Sequence, residues 1–503
     1  MSNHEPLVVV AMGINTHQEP IAYMHRDCPV CRAEGFSAST RILVSTESCN
    51  LLATLDVVEN HTLSPGHIGL SNIALERLGV VEGDLVVVQH APLVHSLGFV
   101  RKKIHGHSLS DEEMDAIMQD ISDHRYRDIE IAAFLSVCAG ERLNLDEIIG
   151  LTRAMVSCGK RIEWPDNPKI FDKHCIGGLP GNRTTPIVVA IASAAGLTIP
   201  KSSSRAITSP SGTADTLETL FDVQFGIDGM QRIVRETGAC LVWGGAVNLS
   251  PADDFMVRIE RELDLDGEGQ LIASVLSKKI AAGSTHVVID IPVGETAKVR
   301  TLAEADYLSG LFNRVGTACG IQVRCVITDG SRPVGNGIGP VQEAIDVLSV
   351  LRCEAQAPVE LRNRSLELAA NLLDLANNTG LEKGRSLAQD ILDSGQAWTQ
   401  FQLIATAQGG LKTLPKPDFS SVMTCAGAGV ISAIDNRRLA RLAKLAGAPN
   451  DKVAGIRLHA NVGSILKAGD PLFTLYSASP GEMDYALEYY RQNGDMFHIV
   501  ESG

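Results

Sequence analysis

FDKHCIGGLPGNRTTPIVVAIASAAG, residues 171–196, joins a short strand-like run to an apolar helix-like run through a loop of three glycines and a proline. Thr185 followed by Pro186 reads as an N-cap and first-turn pair, so a helix is expected from there through IVVAIASAAG. Gly177, Gly178 and Gly181 let backbone N–H groups approach a ligand, and the start of a helix adds partial positive charge. Lys173 supplies a full charge before the loop. The stretch therefore reads as an anion site at a strand–helix junction; the plainer alternative is a tight turn with no ligand. It is not a Walker A loop, because GGLPGNRT lacks Gly-Lys-[Ser/Thr].

Working outward, residues 169 to about 411 alternate strand candidates (HVVIDIPV, IQVRCVIT) with helix candidates (VQEAIDVLSVLRC, SLELAANLLDLANNTG), the rhythm of a mostly parallel α/β sheet. Within it, SSSRAITSPSGTADTLETL, Ser202 to Leu220, places hydroxyl residues and Arg205 ahead of a second helix start at Thr213 and Asp215. Two hydroxyl-rich helix entrances can converge at the C-terminal ends of such strands, where open sheets bind ligands. Hydroxyl and N–H groups suit phosphate oxygens, with Lys173 and Arg205 balancing the charge. The stretch Gly335-Asn-Gly-Ile-Gly lacks the last glycine of a dinucleotide fingerprint and reads as a flexible loop.

Before this region, residues 1–95 read as a β-rich unit, with LVVVAM, TRILVST and DLVVVQH as strands. LSPGHIGLSNIALERLGVVEGDLVVV resembles half of a double-psi barrel. Helical spacing follows: Ser110 with Glu113, and Asn144 with Glu147, read as capping boxes of a small bundle over about 100–163. Residues 421–503 read as a smaller α+β tail. Its GSILKAGDPL resembles half of a lipoyl-type hammerhead, but no lysine stands in a carrier context. Cys28-Pro-Val-Cys31 is a lone CxxC. It reads as free thiols on a turn; zinc would need further ligands such as His17 or His25.

The chain has 503 residues, 45% hydrophobic and 20% charged, which is normal for a multidomain globular protein. Its net charge of −15 argues against nucleic acid as partner, while local lysines can still reverse the field in one cleft. No run reaches the length of a membrane span. The odd count of 11 cysteines argues against a full disulfide framework, so reduced thiols and a cytoplasmic location are expected.

On DKHCIGGLPGN (Asp172–Asn182), SSRAITSPSGTADTLE (Ser203–Glu218) and LIASVLSKK (Leu271–Lys279), the chain resembles thymidine phosphorylase and, more closely, the AMP phosphorylase branch of that family over about residues 100–490, with an extra N-terminal domain like that of the AMP phosphorylase branch. The resemblance implies phosphorolysis: inorganic phosphate displaces a base from C1 of a ribose or deoxyribose. It implies a helical domain (96–165 with 250–280), an α/β domain (166–249 with 281–420), and a homodimer or larger assembly, with no cofactor and no metal. Carried over by motif, Lys173, Thr185, Ser203 and Thr213 would hold phosphate. Gly178 and the run Ser204, Arg205, Ala206, Ile207, Thr208 and Ser209 would line the substrate pocket, with Ser274 and Lys298 opposite. Asp266 would protonate the leaving base, with His174 as the rival acid. Cys175 stands where relatives commonly carry serine, and neither Arg258 nor Arg261 aligns cleanly with the pyrimidine-reading arginine. Thymidine and a nucleoside 5′-monophosphate such as AMP both remain as substrates. A catalytically silent nucleotide-binding regulator and a phosphoribosyltransferase of related fold are the rival classes.

Overall fold

The computed structural model describes residues 5–500 except Ile207, Thr208, Asn248, Asp264 and Asp266, together with the side chain of Arg261. The chain falls into two compact units. The first reaches Leu109 and takes in Ala116–Val137; the second takes in Ser110–Asp115 and everything described from Cys138 onward.

The first unit is built on a closed six-stranded barrel: β1 (Leu7–Ala11), β2 (Ile21–His25), β3 (Arg41–Ser45), β4 (Asn50–Val58), β5 (His67–Leu70) and β6 (Leu85–His90), in the order β1-β5-β2-β4-β3-β6. Alternating residues such as Leu7, Val9, Ile42 and Val44 fill its interior. Closure removes the exposed strand edges that such a sheet would otherwise present. Of the helical stretch, the residues up to Leu109 and Ala116–Val137 group with the barrel. Arg41 on β3 donates to the carbonyls of His124 and Arg125 at 3.3 and 3.4 Å, one physical tie behind that grouping. Cys28 and Cys31 are buried in the barrel core rather than set on a turn, and the Cys31 thiol donates to the Phe36 carbonyl.

The second unit centres on parallel strands β7 (Phe171–Cys175), β8 (Ile199–Ser203), β9 (Ala239–Trp243), β10 (His286–Val293) and β11 (Gln322–Asp329). They pair as β11-β10-β7 and β8-β9, and a parallel bridge between Ile170 and Thr198 joins the two sets just before β7 and β8. The helix Thr184–Ala194 is buried on all sides. Its Ile187, Val188, Val189 and Ile191 each contribute about 1.5–3 kcal/mol of burial. Arg183, not Thr185, is the residue that caps this helix, so it begins earlier than the Thr-Pro pair suggests. A proline at the third helical position is tolerated because its missing N–H has no intrahelical acceptor there. On the other side, helix Glu268–Ala281 packs against helix Leu145–Ser157, whose N-terminus carries the expected Asn144–Glu147 capping box. The Ser110–Glu113 box also closes, through both backbone N–H groups.

One short strand, β12 (Gly337–Ile338), comes from the glycine-rich stretch expected to be a flexible loop. The tail holds β13 (Phe419–Thr424), β14 (Gly429–Ile434), β15 (Gly455–Leu458), β16 (Ile465–Leu466), β17 (Pro471–Ser477) and β18 (Phe497–Val500), and β12 pairs with β15. The glycine-rich stretch is buried rather than mobile in character. A Cβ on Gly337 would lie 2.1 Å from the Gln342 carbonyl, and one on Gly335 would lie 2.6 Å from Asp346 Oδ2. The glycines are there for close packing. Among the described residues no helix is long and apolar enough to cross a membrane.

Candidate active site

Side chains alternate along β7, so successive residues serve opposite faces of the sheet. Asp172 turns to the face of helix Glu268–Ala281, and its carboxylate meets Lys201 at 3.1 Å and Lys279 at 2.7 Å. Burial alone would raise the Asp172 pKa, but the two ammonium groups outweigh it and hold the carboxyl below its usual range. Lys279, by contrast, is pushed down by burial and by Lys201, despite Asp172. His174 follows on the same face, half-buried, with Lys279, Lys201 and Lys278 around it. Burial first and these cations second hold its pKa well below that of a free imidazole. Both effects favour the neutral imidazole, which donates a ring N–H.

Lys173 turns the other way, to the face of helix Thr184–Ala194. It is 1% exposed, and its Nζ donates to Thr184 Oγ1 at 2.7 Å. Among the described residues no carboxylate lies within ion-pair distance of it, and burial lowers its pKa. An ammonium has three donors, so two remain for a ligand. The Ser203 hydroxyl at the end of the neighbouring strand β8 is buried and unpartnered. Thr185 is 7% exposed at the second position of the helix, where first-turn N–H groups are unsatisfied. Arg183 completes the group. Its guanidinium donates to Thr213 Oγ1 at 2.6 Å, to the Ser211 carbonyl at 2.8 Å and to buried Glu343 at 2.7 Å. Thr213 is thus fixed at the start of its own helix by a residue the sequence reading passed over. The signal was present, since Arg183 is the single cation inside the loop motif.

The glycines do what the loop needs. Gly177 and Gly178 have φ of +93° and +92°, a region that favours glycine. A Cβ on Gly178 would come within 3.0 Å of the Lys298 backbone nitrogen, so the loop and the Lys298 segment lie together. Gly178→Ala is expected to cost about 1–2 kcal/mol of stability through backbone strain and, if the loop relaxes by moving its N–H groups off the anion, to weaken the Kd for phosphate by calorimetric titration. An unchanged Kd would show that the loop is not part of the anion site.

Cys175 is no better placed as a nucleophile than the sequence suggested. Burial and then the Asp290 carboxylate push its thiol up to about 12, and Asn182 donates to the sulfur at 3.2 Å. Ser274 lies one helical turn from Lys278, whose Nζ approaches the Ser274 hydroxyl at 3.4 Å, so the Ser274 segment shares the His174 face. Lys278, also paired with Asp253, was missed as a member of that group. Arg205 finds its partners within the protein. Its guanidinium is held by Glu218 at 2.8 Å and Asp215 at 3.1 Å and lies 4.7 Å over Trp243. Ser204 is exposed, Ala206 is tied through its N–H to Asp215, and Ser209 donates to the Ser211 carbonyl. Ile207, Thr208 and the expected acid Asp266 lie outside the described residues.

The fold and this group of residues define a class: an α/β protein that gathers lysines, an arginine and hydroxyl side chains at the ends of parallel strands. The glycosyl transferase family helical bundle domain matches residues 98–159, the glycosyl transferase family a/b domain 167–398, and the pyrimidine nucleoside phosphorylase C-terminal domain 430–496. A Polaromonas sp. (strain JS666) protein provisionally named as a thymidine phosphorylase is 51% identical over 97% of this chain and 96% of its own length. A Hahella chejuensis protein named in the same way is 48% identical over 98% of both. The chain belongs to the thymidine phosphorylase-like family of pentosyltransferases. In fold alone it is similar to anthranilate phosphoribosyltransferase from Thermus thermophilus, with a TM-score of 0.51 at 18% identity, covering 62% of this chain and 99% of that one.

Proposed function

We propose that the protein catalyses the phosphorolysis of thymidine to thymine and 2-deoxyribose 1-phosphate. The observation that carries this reading is Lys173: a buried ammonium with no carboxylate within ion-pair distance among the described residues, only partly offset by the buried Asp290, beside the hydroxyl of Thr184 and on the strand next to the orphan hydroxyl of Ser203. A buried charge is costly unless something pairs with it, and a phosphate ion supplies both the charge and the acceptors. Lys173, Thr185, Ser203 and Thr213 hold the phosphate, with the N–H groups around Gly178. The bound phosphate sits below C1 of the sugar, stabilises positive charge developing there, and attacks it. Carbon–nitrogen cleavage leaves negative charge on the base. The neutral His174 N–H, Ser274 and Lys278 face that charge, and Asp266 delivers the proton. Lys298 and residues 204–209 line the sugar and base.

The AMP reading requires a cation free to take a 5′-phosphate, and the pairing of Arg205 with Glu218 and Asp215 favours the plain nucleoside over it. The relatives' names point the same way. Incubated with phosphate and thymidine, uridine, AMP or CMP in turn, the enzyme is expected to release thymine fastest, with no release when phosphate is omitted and continued release when arsenate replaces it. Preferential release of adenine would overturn the substrate assignment. No release from any of them would favour a silent nucleotide-binding regulator. We further propose a homodimer or larger assembly acting in the cytoplasm, checked by light scattering and fractionation.

A further inference from the structure

The tail reaches back to the hydroxyl-rich segment through one side chain. Lys452, just before β15, places its Nζ 3.1 Å from Asp215 Oδ1 and 3.2 Å from Glu218 Oε2. Arg205 binds the same two carboxylates, so two cations and two anions form a closed, neutral cluster. The remaining oxygen of Asp215 accepts from the N–H groups of Ala206 at 2.7 Å and Gly212 at 3.0 Å, the two ends of the segment. Asp215 is 2% exposed, so Ala206 and Gly212 are both referred to one fixed carboxylate. A second contact grips the opposite loop. Arg437 of the tail donates to the carbonyls of Thr296 and Ala297 at 3.3 Å, immediately before Lys298, and Asn436 bonds Thr296 Oγ1 at 3.1 Å.

We propose that Lys452 is a positioning residue: through the Asp215–Glu218–Arg205 cluster, the tail domain sets Ser204–Ala206 and Ser209–Gly212 of the substrate-binding stretch. The inference rests on the assignment of residues 204–209 to the substrate pocket. Removing the ammonium leaves a net negative cluster, lets Arg205 draw the carboxylates toward itself, and releases the two backbone N–H groups from a fixed acceptor. Of the proposed phosphate contacts, Lys173, Thr185 and Ser203 are not on this segment and Thr213, just beyond it, is held independently by Arg183 at 2.6 Å, so substrate and phosphate should respond differently.

Lys452→Met is expected to raise KM for thymidine five- to ten-fold while KM for phosphate changes less than two-fold, with Lys452→Arg within two-fold of wild type. Hydrogen exchange in the ligand-free full chain is expected to quicken at least ten-fold in the peptide spanning Ala206–Gly212. Wild-type exchange in the Met variant overturns the proposal, as does faster exchange with both KM values unchanged, or with both raised alike. The exchange arm needs no substrate, so a wild-type chain that fails to cleave thymidine would count against the proposed function and not against this clamp.

Discussion

Lys173→Met is expected to lower kcat/KM for phosphate by about 10²–10³, the usual effect of removing one preorganised electrostatic group from a reacting centre. The same substitution is expected to leave the chain at least as stable as wild type in phosphate-free buffer. The reason is that the Lys173 ammonium is buried with one hydroxyl and, among the described residues, no carboxylate as partner. A methionine of similar length removes a charge that burial penalises more than the nearby Asp290 carboxylate offsets. Function and stability are opposed at this position, as expected where a site is built for a ligand it does not yet hold. Phosphate should reverse the order. At 100 times its Kd it should stabilise the wild-type chain by about 2.7 kcal/mol and the variant by almost nothing. Calorimetric melts with and without phosphate check both parts. Near wild-type turnover, or a melt several degrees lower without phosphate, would remove Lys173 from the anion site.

The second large effect is one of stability. Asp172→Asn leaves Lys201 and Lys279 facing each other in a dry interior with no counter-ion. Breaking a buried pair in this way costs about 3–5 kcal/mol. Its pH dependence has a definite sign. In wild type the Asp172 pKa is depressed, so its contribution is present above the ordinary carboxylate range and is lost as pH falls through its folded value. In the variant the two lysines repel, so the folded chain binds fewer protons than the unfolded one. Its stability therefore rises with pH, and the deficit against wild type should narrow between pH 7 and pH 9. Adding Lys279→Met should recover part of the loss. A melting temperature unchanged at pH 7, or a deficit that widens with pH, would contradict the triad. The two neighbouring substitutions thus test opposite faces of one strand.

Much of this arrangement is readable in the sequence. The loop of 171–196 carries its glycines, lysine and apolar helix in consecutive positions, so the strand–loop–helix reading needs only local physics. The capping box at Asn144 is local in the same sense. What is not legible is where charges end up. Arg205 looks like a phosphate ligand among hydroxyls, yet Asp215 and Glu218 on the following helix claim it, and only the fold decides that competition. The partners of Asp172 come from β8 and from helix Glu268–Ala281, and no spacing rule links them. His174 carries a residue type that titrates near neutrality, but burial and the lysines around it, Lys279 foremost, lower its pKa. The stretch 335–339 misleads for a different reason: glycine permits mobility in isolation and close packing in context, and the composition is the same.

The short strand β12, zipped onto β15 by its pairs with Arg457 and Ile456, makes the tail something other than a detachable module. A cut near residue 420 would strip β15 of a neighbour and open its amides and carbonyls to pairing with foreign chains. Exchange of tails between homologues would have to carry a matching 337–338 segment along, so the natural unit of inheritance here is an interleaved pair of segments, not a contiguous stretch.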